Sequence, residues 1–171
     1  ISAAIDIGPV EPLGRYLGCH HEESELTGEE LHAAVAERFP GEVVPDCRAG
    51  GKGLCFDMQN YFEQAITMYE EATGNYKYKN VATPFLDESS IALDDYEQPG
   101  CLGDSACSLL MKNLYGARLA RPDILRPTQL LAGNVTKWCR ADDHKLHRLF
   151  CYLKHTPHYR LNGFIGDKME D

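Results

Sequence analysis

Several sets of residues in this chain are of types that could do chemistry. Cys19-His20-His21-Glu22 puts four potential metal ligands in a row. Adjacent strand residues point to opposite faces, so at most two of them could ligate together, and Cys47 or Cys55 would have to complete a tetrahedron. His144 and His147, with Cys139 or Cys151, form a second such set. Surface histidines and buried thiols account for both more simply, so no metal site is assigned, and a metal at Cys19, His20 and His21 is left open. The acid pairs Asp94-Asp95 and Asp142-Asp143 lack the tight turn between strands from which carboxylates hold two metal ions about 4 Å apart. They read as capping or solvating groups. Gly50-Gly-Lys-Gly53 lacks the spacing and the following Ser or Thr of a phosphate loop. No G-x-S-x-G is present, and no cysteine stands in a recognisable nucleophile context. No catalytic residue is therefore expected.

Charge points to a different kind of chemistry. The chain carries 17 Lys and Arg against 26 Asp and Glu, a net charge of −9. The imbalance is uneven. Residues 1–100 hold 6 basic against 19 acidic groups, whereas residues 112–160 hold 10 basic against 3 acidic. A surface for a polyanion, if the chain has one, belongs in this last third. The plainer reading of the same asymmetry is two solvated faces with some attraction between them.

The elements that would position these charges can be read from periodicity. After a proline-interrupted lead-in over residues 1–13, Arg15 to Glu22 alternates as a strand. Thr27-Gly-Glu-Glu30 is a capping box, and Leu31, Ala34, Val35 and Phe39 follow at helical spacing until Pro40-Gly41. Gly50-Gly-Lys-Gly53 reads as a turn leading into Gly53 to Phe56, a second strand pairing with the first. Asp57 caps a helix with Met58, Phe62, Ala65, Ile66 and Tyr69 on one face, and Gly74 closes it. Residues 75–103 combine breakers and acids and read as a linker between two lobes. A helix from Asp104 to about Ala120 buries Ala106, Leu109, Leu110, Leu114 and Ala117. Arg121-Pro122 breaks it, with Pro122 suited to the first position of the next helix and a restart near Pro127. Asp142-Asp143 open the last helix. Its inner face is Leu146, Leu149, Phe150 and Leu153, with Arg148, Tyr152 and His155 turned away, and Pro157 ends it.

At 171 residues the chain can bury a real core, and no stretch approaches the roughly 18 apolar residues of a membrane span. The seven cysteines form no C-x-x-C pair, so they read as reduced thiols of an intracellular protein, and the sequon Asn134-Val-Thr136 as incidental. The start at Ile1, without a leader, reads as a trimmed product or an incomplete reading frame. The expected fold is α+β and mostly helical: a hairpin-containing lobe at 1–74, an acidic linker at 75–103, a helical bundle at 104–160 and a tail at 161–171.

Two segments bear a specific resemblance. Arg118-Leu-Ala-Arg-Pro-Asp-Ile124 is followed, after a short interval, by His144 to Thr156, which contains Tyr152-Leu-Lys-His-Thr156. In order and spacing the pair resembles the region after the polymerase palm of copia-type retrotransposon reverse transcriptases, where an "ARPDI" helix precedes one ending in "RYLK-x-T". Arg15-Tyr-Leu-Gly18 resembles that family's "YFLG" strand. Leu54 to Tyr61 resembles its "L-x-L-x-Q-x-x-Y" element, and Val81-Ala-Thr-Pro84 its "V-x-TP". The ordered set spans most of residues 15–160.

The resemblance implies a thumb and connection region of an RNA-directed DNA polymerase. Leu17 and Gly18 would form the primer-grip hairpin. Arg118, Arg121, Lys145, Arg148 and Lys154 would face phosphates of an RNA–DNA or DNA duplex. For each cation the ordinary alternative is a solvated surface charge, and Arg121 has a further one, anchoring the break between two helices. The chain departs from the family in three ways. It inserts a capped helix between Glu22 and Gly51. Arg126-Pro127 stands in the "RPDI" helix, and the ribonuclease H motif and the catalytic "YxDD" pair are both missing. The chain alone is therefore expected to be inactive and to need no cofactor, although the parent activity would use Mg. Its partners would be a nucleic-acid duplex through residues 112–160 and the missing palm and ribonuclease H regions. The alternative is a captured, non-enzymatic subunit of some protein complex.

Overall fold

The computed structural model describes residues 14–38, 40–41, 50–74 and 77–165. Its elements are β1 (Arg15–Tyr16), β2 (Cys19–Leu26), α1 (Gly28–Arg38), β3 (Gly51–Asp57), α2 (Gln59–Thr73), α3 (Gly103–Leu119), α4 (Leu125–Ala132), α5 (Arg140–His155) and β4 (Leu161–Ile165). Single 3₁₀ turns sit at Glu88–Ser90, Leu93–Tyr96, Pro122–Ile124 and Val135–Lys137. The fold is α+β and mostly helical, with one sheet in the order β1-β2-β3-β4. Two compact units are distinguished, Ile1–Cys55 with Asn162–Asp171, and Phe56–Leu161. The lead-in at 1–13, Phe39, Cys47 and the chain end from Gly166 lie outside the described residues.

In the first unit the strand expected at 15–22 is two strands. Arg15 pairs with His20 and Tyr16 with Cys19, leaving Leu17-Gly18 as a two-residue turn. Both turn residues have positive φ, 50° and 87°, the geometry whose twist matches two antiparallel strands. Thr27 and Glu30 close the expected capping box, Thr27 N–H donating to Glu30 Oε2 at 2.9 Å and Glu30 N–H to Thr27 Oγ1 at 3.4 Å. Leu31 is the buried anchor of α1. The glycines at 51 and 53 are strand residues rather than a turn. A Cβ on Gly53 would meet Ser24 Oγ at 2.7 Å, so a larger residue there requires the serine hydroxyl to turn away. Residues 161–165, expected as part of a tail, form β4 beside β3.

The second unit is built on α2, α3 and α5. Asp57 accepts the Gln59 N–H at 2.7 Å, and Phe62, Ala65, Ile66 and Tyr69 are buried as expected. Gly74 ends α2 in the left-handed conformation, φ 69°, its N–H donating to Glu70 O. Tyr69 stacks on Phe150 with ring centroids 4.1 Å apart. On α3 the inner face includes Asn113 and Gly116 rather than Leu114. A Cβ on Gly116 would lie 2.5 Å from the Phe62 ring, so the missing side chain sets how closely α2 and α3 approach. The chain leaves α3 at Arg121-Pro122, passes through a 3₁₀ turn and restarts at Leu125. Pro127 then falls in the first turn of α4, where its absent N–H has no intrahelical acceptor to lose.

The segment expected to link two lobes belongs to the second unit. Several of its residues bond to α5, among them Lys79, Thr83, Glu88 and Asp95. Ile91 and Leu102 are buried, and Pro99 forms a bridge with Cys139. Asp143 on α5 accepts the N–H groups of Cys101 and Leu102 at 2.6 and 3.2 Å, together with the Trp138 indole at 2.7 Å. Leu102 has no side-chain acceptor of its own, so a residue some forty positions away caps α3. Polarity made this stretch read as a linker, because the partners of its polar groups are remote in sequence.

Candidate nucleic-acid interface

Helices α3 and α5 and the 121–125 break position most of the cations expected to meet phosphate. Arg121 is the clearest case. It is 2 % exposed and lies wholly inside its own unit. Its guanidinium donates to both carboxylate oxygens of Asp123 from Nε, at 2.9 and 3.2 Å, and from Nη2 to Asp123 Oδ2 at 2.8 Å. Nη1 and Nη2 also reach the Thr156 carbonyl and hydroxyl at 2.8 and 2.9 Å. A planar fork with five donors suits this task, and an ammonium would not. Arg121 therefore anchors the break between α3 and α4, and a group this buried presents nothing to a phosphate. Tyr152, expected to turn outward, points in. Its hydroxyl donates to Asp123 Oδ2 at 2.9 Å, because the carboxylate that Arg121 holds needs a further donor. Burial, and then the Asp123 hydrogen bond, push the Tyr152 phenol up to about 12.

The other cations sit at the surface with partners of their own. Lys145 Nζ is 2.9 Å from Glu88 and Lys154 Nζ is 3.0 Å from Glu70. Burial draws the Lys145 ammonium down, but Glu88, Tyr96 and Asp142 outweigh it and hold its pKa above the ordinary value. Arg148 donates from Nε to the Thr83 carbonyl at 2.9 Å and from Nη2 to the Thr83 hydroxyl at 3.3 Å. Arg140 and His144 both approach Asp95, at 3.6 and 3.4 Å. Arg118, in the last turn of α3, is exposed and makes no ion pair among the described residues. The structure thus brings Lys145 and Arg148 together on α5 with Arg140 and His144, two residues that the resemblance did not point to. Arg121 is removed from the surface. The signal for Arg140 and His144 was present as a helical spacing of four, 140, 144 and 148.

The hairpin residues belong to the other unit. Leu17 is 63 % exposed at the turn tip, next to Tyr16 at 66 %. A leucine with φ 50° is held in a conformation that glycine adopts without strain, and Gly18 beside it takes φ 87°.

The acid pairs behave as capping and pairing groups. Asp142 accepts from the Cys139 N–H at 3.2 Å and from Asn134 Nδ2 at 2.9 Å, Asp143 caps α3, and Asp95 holds Arg140 and His144. Cys19 is buried, while His20 faces Glu22 and His21 meets the Gly14 carbonyl at 3.0 Å. Among the described residues no three His, Cys, Asp or Glu side chains are placed to hold a metal ion. Among them, too, no helix is long and apolar enough to cross a membrane. The chain matches no protein-family model, no curated protein and no solved structure.

Proposed function

We propose that this chain is a post-palm segment of a copia-like reverse transcriptase, whose parent activity is RNA-directed DNA synthesis and whose own part is to hold the template–primer duplex. One observation carries the reading. The two segments that bear the resemblance meet in a single hydrogen-bonded network, Arg121 and Asp123 from the first, Tyr152 and Thr156 from the second. Residue types that define the two motifs are the ones this network requires, which gives their joint occurrence a physical reason. The strained, exposed Leu17 tip suits a hairpin that presents its backbone to another molecule.

Lys145 and Lys154 reach phosphate by exchanging one anion for another. Glu88 is exposed at 74 % and Glu70 half-buried at 29 %, and ion pairs open to solvent contribute only about 0–1 kcal/mol. A duplex that offers many phosphates displaces such partners with little loss. The test is binding to a primed RNA–DNA hybrid over a range of salt concentration. Affinity falls steeply with salt, and replacing Lys145 or Lys154 by Gln lowers the log–log slope by about 0.9 for each phosphate no longer neutralised. No binding at low salt overturns the proposal.

A second reading, a non-enzymatic subunit of a protein complex, is favoured by one observation of its own: the cations of α5 are already matched to acids and carbonyls of the same unit. Absence of duplex affinity together with recovery of a stoichiometric protein partner supports it.

A further inference from the structure

A cavity of about 340 Å³ opens between the 79–95 segment and α5, and Lys79, His144, His147 and Arg148 line it. We infer that it is a binding site for the phosphate group of a small phosphomonoester, a site separate from any surface that follows a duplex. Four nitrogen-bearing side chains face one space, against one carboxylate, Asp95. That carboxylate is already shared between Arg140 and His144.

The nitrogen-bearing groups are held in position before a ligand arrives. Arg148 is oriented by its bonds to Thr83 from Nε and Nη2, so that Nη1 is the nitrogen left to meet a ligand. The backbone N–H of Lys79 donates to Cys151 Sγ at 3.4 Å, fixing the start of its side chain at the cavity. His147 is oriented at both nitrogens, Nδ1 at 3.0 Å from the Tyr69 hydroxyl and Nε2 at 3.4 Å from Cys151 Sγ. His147 is held below its ordinary pKa, first by burial and then, against a raising contact with the Lys77 backbone, by the charges of His144 and Lys79. A dianion relieves that repulsion.

The rest of the lining defines the body of the ligand. Val81, Leu86 and Ile91 contribute apolar surface, which a bare inorganic anion does not need. The space suits a phosphate carried on an organic group of nucleoside size. A free monoester and the phosphorylated end of a nucleic-acid strand offer the same chemistry, and the experiment separates them.

The test is calorimetric titration of the intact chain with inorganic phosphate, with adenosine 5′-monophosphate, and with an oligonucleotide duplex with and without a 5′-phosphate. The monophosphate binds more tightly than inorganic phosphate, and Lys79→Gln weakens it about tenfold, as expected for one charge-assisted hydrogen bond. Lys112→Gln, whose ammonium lies over the Tyr61 ring away from the cavity, leaves it unchanged. The His147 imidazole titration moves upward when monophosphate is present, which a purely structural role for Lys79 would not produce. If only the 5′-phosphorylated duplex shows the Lys79 dependence, the source is a strand end. If the free monoester shows it too, the source is a small molecule. Absence of binding by both the monophosphate and the 5′-phosphorylated end at millimolar concentration, or equal weakening by Lys112→Gln, overturns the site. Salt-dependent binding of the unphosphorylated duplex reports on the polymerase reading alone, so either proposal can fail without the other.

Discussion

Arg121 and Thr156, 35 residues apart, are joined by two hydrogen bonds of 2.8 and 2.9 Å, from one guanidinium to the threonine carbonyl and hydroxyl. Thr156 is the C-cap of α5 and Arg121 the residue where α3 gives way to the next turn. The arginine therefore satisfies groups at one helix end while it fixes the course of the chain at another. Replacing Arg121 by Gln leaves Asp123 and the Thr156 carbonyl short of donors and costs about 3 kcal/mol, read as a lower urea midpoint. Arg121→Lys keeps the charge but not the fork and recovers only part of it. A loss below about 0.5 kcal/mol, the range of ordinary surface substitutions, refutes the anchoring role.

Gly116 sets the distance between α2 and α3. Adding a methyl group in Gly116→Ala drives a carbon to within 2.5 Å of the Phe62 ring. Overpacking of this kind costs about 1–3 kcal/mol despite alanine's better helix propensity. Pairing it with Phe62→Leu makes room and restores much of the loss, which a double-mutant cycle measures.

Asp143 is the acceptor for the N-terminus of α3 and for the Trp138 indole. Asp143→Ala strands these donors and lowers stability by about 2 kcal/mol. Protection of the Cys101 and Leu102 amides against hydrogen exchange falls first, while amides in the middle of α5 keep theirs.

Stability depends on pH at both ends of the range. His147 has a pKa below the ordinary 6.5 because burial disfavours its charged form. A depressed pKa means that the neutral imidazole's contribution is complete above 6.5 and is lost as pH falls below it. His147→Gln flattens that acid limb. Tyr152 is raised from 10 to about 12. Its contribution is complete below pH 10 and is lost as pH climbs through about 12. Tyr152→Phe removes one late phenol from an ultraviolet titration, and an unchanged titration contradicts the assignment.

Much of the local structure was legible in the residues. Thr27 and Glu30 mark the start of α1 because a capping box spans only four residues. Gly74 and Arg121-Pro122 mark helix ends because backbone conformation is restricted one residue at a time. The apolar faces of α2 and α5 followed from periodicity. Tyr152 did not, since a phenol is at home on either side and only the position of Asp123 turned it inward.

The sequence by itself determined which helices form, where they stop, and that acid and base are concentrated in different parts of the chain. Only the tertiary structure decided where those charges go. Lys145 meets an acid 57 residues away and Lys154 one 84 residues away, Arg121 disappears inside, and residues 161–165 become a strand. The reason lies in range. Caps, turns and periodic faces are set by neighbours within a few residues, whereas an ion pair or a strand pairing depends on which remote segment the packed helices bring alongside.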